Sequence, residues 1–198
     1  METTLFSIGH GTKTIEEFIE ELKSFDIQFL IDVRSSPFSK WAPHFNQQQL
    51  MLYLQHQNIK YAYMGNVIGG RPTNDNCFDE EGYYDYQLMA KEQAFQSGLK
   101  RLVDANSKGY HVAVMCSESD PSQCHRSKLI GRELYADYDI DMKHIVSVGN
   151  YISESQIITN LTHGMWLPQG NLFGIEPPPF FKSRKAYKEV NQEEYEYD

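Results

Sequence analysis

The sequence predicts an α/β protein: a single-domain, Rossmann-like three-layer sandwich built on a mostly parallel sheet. Short apolar runs alternate with stretches of helical period, and the helices between them are long enough for the crossovers that parallel strands require. A length of 198 residues suits one such domain better than two.

The elements follow in order. "LFSIGHG" (Leu5 to Gly11) is an apolar strand closed by glycines, and Ile15, Phe18, Ile19 and Leu22 then recur at helical spacing behind a Thr14/Glu17 capping box. "IQFLIDVRS" (Ile27 to Ser35) is a continuous apolar strand that ends in Asp32 and Arg34. The loop "SPFSKWAPHFN" leads into a helix over "NQQQLMLYLQHQN", and "IKYAYMG" (Ile59 to Gly65) gives a third strand. A long polar stretch to Tyr86 reads as a lid-like loop, and Gln87 to Asn106 as one helix. "YHVAVMCSE" is the fourth strand and Lys143 to Gly149 the last, followed by a helix over Ser153 to Leu161. Residues 1–165 are read as the α/β domain, and 166–198 as a proline-rich extension with a charged tail.

Composition narrows the function. A net charge of −9 argues against a surface built wholly for nucleic acid, although a local arginine cluster can still hold an anion. With no signal-like start and no apolar run near the roughly 20 residues of a membrane span, a soluble cytoplasmic protein with no membrane partner is expected. Three cysteines do not make a disulfide framework, so reduced thiols are expected.

In parallel sheets, ligands bind beyond the carboxyl ends of the strands. Those ends carry His10, then Asp32 and Arg34, then Cys116 and Glu118. In "VMCSESDPSQCHR", Asp120 is a good N-cap, Pro121 suits the first helical position and Gln123 completes a capping-box pattern, so a helix is expected to start at Pro121. His125 and Arg126 then face the crevice better than Cys124 does. A thiol beside a helix N-terminus and an arginine is stabilised as thiolate, which makes Cys116 a candidate nucleophile; the alternative is a small buried residue ending a strand.

These segments, "SIGHGTKTIEEF", "IDVRSSPFSKWAPHFN", "IGGRP", "VMCSESDPSQCHR" and "KHI", resemble in content and order the domain of unknown function 488 family. A more distant resemblance is to rhodanese-like domains, in which a strand ending Asp-x-Arg precedes a strand ending in a catalytic cysteine. The resemblance implies a thiol-centred anion site. The longer loop after Cys116, with Glu118 and Asp120 beside the thiol, departs from that pattern and speaks against sulfur transfer. Arg126 lies ten positions after Cys116, so the phosphatase spacing of Cys and Arg is absent.

Cys116, Cys124 and His125, with His10, are metal-ligating types, but the paired spacings of a structural zinc site are missing and neighbours on a helix diverge. No metal and no cofactor are expected. Arg71 in "GGRP" is a mobile guanidinium for an anion, although a turn accounts for its glycines. Phe38, Trp41 and Phe45, interleaved with Lys40 and His44, either stack a base or pack the loop, and packing is favoured. Two functions follow. One is a cysteine-dependent enzyme with Cys116 as nucleophile, His10 or His125 as acid/base, and Asp32, Arg34, Arg71, Glu118 and Arg126 around an anionic substrate, a nucleotide or nucleic-acid phosphate. The other is a non-catalytic binding module with Cys116 merely buried. Oligomeric state is left open.

Overall fold

The computed structural model describes residues 3–71, 74–164 and 181–187. Six strands form one sheet in the order β3-β2-β4-β1-β5-β6: β1 (Leu5–Gly9), β2 (Phe29–Asp32), β3 (Lys60–Tyr63), β4 (Val112–Cys116), β5 (Lys143–Ser147) and β6 (Asn150–Ser153). All neighbours pair in parallel except β5 and β6. The alternation of each strand splits the core in two. Phe6, Ile8, Leu30, Ala113, Met115 and Ile145 pack against α1 (Ile15–Lys23) and α2 (Gln47–His56). Leu5, Ile31, Val33, Val112 and Val114 face Leu99 and Leu102 of α5 (Gln93–Ser107) and Leu134 of α6 (Arg132–Tyr138). This is the three-layer, Rossmann-like sandwich expected.

The chain leaves β1 for one face of the sheet and β4 for the other, although these two strands are neighbours. Their carboxyl ends therefore part and leave a crevice, the usual place for a ligand in such sheets. The strand pairing continues past the regular strands into the crevice, because His10 and Gly11 donate their N–H groups to Cys116 and Ser117 carbonyls at 3.0 Å each. His10 is thereby fixed beside the thiol strand.

Several expectations are corrected. The region Gln87–Asn106 is two helices, α4 (Tyr86–Ala90) and α5, because the Lys91–Glu92 junction breaks the first and Glu92 leads into the second in extended backbone. The last strand ends at Ser147 and turns at Gly149, in a left-handed conformation, into the antiparallel β6; α7 (Glu154–Thr162) then starts behind a Ser153/Gln156 capping box. The stretch read as a lid contains α3 (Gly65–Ile68) and buries Cys77, Tyr84 and Tyr86 in the core, so its described part is packed. Most of the predicted C-terminal extension lies outside the described residues. Residues 181–187 pack onto the domain, with Phe181 buried and the Ser183 and Tyr187 N–H groups bonded to Tyr84 and Gly82.

The helix expected from Pro121 does not form there. Asp120 caps a single 3₁₀ turn, Pro121–Gln123, by accepting from Ser122, and no capping box with Gln123 is made. Cys124 is extended, and the helix proper begins at Arg126 as a widened π turn, Arg126–Gly131, that runs into α6. Every residue of that π turn is buried, so it has no solvent-facing stripe.

Candidate functional site

A cavity of about 350 Å³ opens at the carboxyl ends of β1, β2 and β4. Cys116, Cys124 and His125 line it, together with His10, Arg34, Arg71, Glu118 and, from the C-terminal segment, Arg184 and Tyr187. The extended backbone at Cys124 explains why both thiols face the same imidazole. His125 Nδ1 lies 3.8 Å from Cys116 Sγ and 3.7 Å from Cys124 Sγ. The other nitrogen, Nε2, is 3.2 Å from the Val33 carbonyl, which can only accept, so Nε2 carries a proton and Nδ1 faces the sulfurs.

Burial alone would raise a thiol's pKa, yet Cys116 is held well below the ordinary thiol range. The hydrogen bond from the Cys124 thiol contributes most, burial opposes it, and His125 and the Glu118 backbone N–H add to it. Cys124 moves the opposite way because it is buried beside that thiolate. The acidic loop therefore supports the thiolate through its backbone, and the Glu118 carboxylate turns outward to Arg184 at 2.9 Å.

His10 stacks on Phe45, with ring centroids 4.4 Å apart, and its Nδ1 donates to the Gly11 carbonyl. Its Nε2 is buried with no partner among the described residues, and burial lowers its pKa to about 4. His10 is thus a neutral imidazole at the cavity wall with one buried acceptor nitrogen left unpaired among the described residues. Arg34 reaches the cavity, but two of its nitrogens bond the Asp32 carboxylate at 2.9 and 2.6 Å and it also donates to the Phe45 carbonyl. Asp32 is fully buried and also accepts from Tyr61, so it holds Arg34 and does not meet a ligand.

Arg126 was expected to face the crevice and does not. It is fully buried, lies outside the cavity lining, and donates to the Ser119 carbonyl at 2.8 Å. The missing side chain of Gly9 makes its room: a Cβ there would lie 2.6 Å from the Arg126 guanidinium and 1.9 Å from the Glu118 carbonyl. The three-arginine anion site thus reduces to Arg34, already ion-paired, and Arg71, which is exposed and stacks on Tyr187 at 4.4 Å.

Gly70 is more than turn chemistry. A Cβ on it would lie 2.7 Å from the His125 ring, so the "GGRP" backbone is the wall that fixes the imidazole. The aromatic loop divides: Phe45 is core, Phe38 is exposed at the cavity wall, and Trp41 is almost fully exposed. Sequence reasoning missed Arg184, Tyr187 and Ser183, which return from more than sixty positions away; no local signal marks them. It also separated Cys124 from His125, which the extended residue brings together.

Fold and site define a Rossmann-like α/β domain whose cavity, at the topological switch point, is lined by two thiols and two imidazoles. The chain belongs to the family described as "Domain of unknown function DUF488", whose model matches residues 14–132. That span contains the loop from Cys116 through Arg126, Arg34 and Arg71, and stops short of the Ser7–His10 strand end and of Arg184. No curated protein and no solved structure matches the chain, and the rhodanese-like resemblance gains no support from these comparisons. Among the described residues, no helix is long and apolar enough to cross a membrane.

Proposed function

We propose that this protein is a cysteine-dependent enzyme acting on a small anionic substrate, of the nucleotide class, at the carboxyl rim of its sheet. Cys116 is the nucleophile that adds to an electrophilic centre of the substrate, Arg71 and Arg184 hold its anionic group, and His10 Nε2 accepts a hydrogen bond or proton from it. The observation that carries the reading is the setting of Cys116 Sγ: a nearly buried sulfur at the floor of an open cavity, supported by Cys124, His125 and the Glu118 N–H, with Arg71 and Arg184 in the cavity lining besides the ion-paired Arg34. Exposed Phe38 supplies an aromatic face at the same wall, which favours a ligand with a base over a bare phosphate. Three reduced thiols fit a cytoplasmic setting.

Iodoacetamide labelling of metal-free protein tests it. Cys116 is expected to react faster than Cys77, and a panel of nucleoside mono- and diphosphates to slow that reaction saturably. Arg71→Ala is expected to weaken the protection without loss of fold. Labelling of Cys116 that no anion affects would sink the substrate reading.

A second reading rests on the Asp32 clamp, which already uses the charge of Arg34. In it the cavity is a non-catalytic anion or nucleic-acid binding module and Cys116 is a buried wall. Cys116→Ser separates the two: the enzyme keeps binding and loses turnover, and the module keeps all it has.

A further inference from the structure

We infer that Cys116, Cys124 and His125 form a three-ligand site for a thiophilic divalent cation of the Zn²⁺ class, whose fourth coordination position is filled from the cavity. The three ligand atoms, Sγ, Sγ and Nδ1, lie within 4.8 Å of one another, and all three residues are buried. A tetrahedral Zn²⁺ with bonds of about 2.3 Å to sulfur and about 2.0 Å to nitrogen spaces its sulfur and nitrogen ligands about 3.6 Å apart. The observed separations of 3.8 and 3.7 Å already stand at that spacing. The two sulfurs, which lie within 4.8 Å of each other, must stand about 3.8 Å apart on such an ion, so closing the cluster takes at most about 1 Å of side-chain movement.

The imidazole is prepared for the role. Its distal Nε2–H is anchored on the Val33 carbonyl, the outer-shell bond that orients a metal-bound histidine and leaves Nδ1 as the lone-pair atom. Gly70 holds the ring from the side. Charge favours an ion as well. Two thiolates and a neutral imidazole cancel a divalent cation, so the loaded cluster carries no net charge into a buried setting, and the thiol protons leave to solvent as the cation enters. Sulfur and nitrogen donors select zinc-like ions over magnesium or calcium, which take oxygen.

Three protein ligands with a fourth side on a cavity are the pattern of an open site, not a closed structural one. His10 is not part of the cluster, although it lines the same cavity. The inference goes beyond the thiol chemistry proposed above, because it assigns the same sulfurs a second occupant: metal-free protein offers a nucleophile, and loaded protein withholds it.

The test is titration of the full chain with Co²⁺ and with Zn²⁺ after treatment with chelator and reductant. One equivalent of Co²⁺ is expected to give the intense visible bands of a tetrahedral ion together with thiolate charge transfer, displaced by one equivalent of Zn²⁺. Cys116→Ser, Cys124→Ser and His125→Ala are each expected to weaken uptake by more than about 100-fold, beyond what an outer-shell change does. Cys77→Ala is expected to leave it unchanged. Should the ligand variants fail to fold, Zn²⁺ is expected to block iodoacetamide at both Cys116 and Cys124 in the wild type, reversibly with chelator. Uptake that survives all three substitutions, an octahedral Co²⁺ spectrum, or labelling indifferent to Zn²⁺ overturns the site. Nucleotide protection is read in metal-free protein, so either proposal can fail alone.

Discussion

Two buried histidines, on the same side of the sheet as the π turn, show how one side chain serves opposite ends. His144 on β5 is enclosed: Ser7 meets its Nδ1 and Glu154 its Nε2, both at 2.6 Å, and Ser127 of the π turn completes the chain on the same carboxyl. Burial strips both charges, holding Glu154 protonated well above its ordinary range and His144 neutral down to about 3. The Glu154 carboxyl therefore donates to Nε2, and Nδ1–H donates to Ser7. Every polar atom named is used, and the result ties α7 and the π turn to the sheet. His125 has the same buried imidazole with only one oxygen partner; its other nitrogen faces two sulfurs at long range beside a cavity. The closed network spends all its bonding capacity on structure, and the open one keeps some for a ligand.

The largest effect expected is at the closed histidine. Glu154→Ala leaves His144 and Ser127 without partners inside the core and is expected to cost roughly 3 kcal/mol. Glu154→Gln keeps a donor for Nε2 and an acceptor for Ser127, so it is expected to stay within about 1 kcal/mol of the wild type. The pH profile sharpens this. Between the depressed folded pKa of His144, about 3, and the raised one of Glu154, the folded pair holds one proton, whereas the unfolded pair holds two below pH 4.5, one up to 6.5 and none above. The pair's contribution is therefore level between those values; it falls on the acid side through His144, whose folded pKa is depressed, and on the alkaline side through Glu154, whose folded pKa is raised. In Glu154→Gln the alkaline fall disappears and the acid fall begins at 6.5. Denaturant melts across pH check it, and a Gln variant as unstable as Ala would mean an ionised pair.

That network was not legible in the sequence. Ser7, His144 and Glu154 each look like ordinary residues of a strand or a helix start, and only the β1–β5 pairing sets Ser7 opposite His144. The sheet was readable, because continuous apolar runs such as "VAVMC" and "FLID" carry their own signal. The rim residues after β1, β2 and β4 were readable too, since parallel topology dictates where strand ends converge. The failure lay at Cys124 and Arg126: Asp120 is a genuine N-cap, but it caps a single turn without Gln123, and one extended residue then reverses which side chains face the cavity.

A smaller effect is expected at the open histidine from outside its own bonds. Gly70→Ala would press a methyl into the His125 ring at 2.7 Å, and the ring or the loop must give way. Overpacking of this kind costs about 1–3 kcal/mol. It is expected to slow Cys116 alkylation at neutral pH without touching any sulfur, while the same change at exposed Gly109, which strains a left-handed turn outside the cavity lining but meets no atom within 4 Å, leaves the alkylation rate alone. Equal alkylation rates in wild type and Gly70→Ala would remove the wall from the account of the site.

The smallest effect is at the mouth. Arg184 and Glu118 pair at 2.9 Å, but the two side chains are 67% and 39% exposed, and a solvated pair of this kind contributes about 0–1 kcal/mol. Arg184→Ala is therefore expected to leave the melting temperature within error, in contrast to any break in the His144 network. Its consequence is electrostatic. Without the guanidinium, the Glu118 carboxylate at the cavity wall is no longer screened and repels an incoming anion, so protection of Cys116 by nucleoside phosphates should weaken, most at low salt, where surface charges act over a longer range. Restoring protection in the Glu118→Gln, Arg184→Ala double variant would assign the effect to that unscreened carboxylate. Protection that stays weak in the double variant is the outcome expected if Arg184 holds the anion directly, as proposed above, and full restoration would remove Arg184 from the anion's ligands.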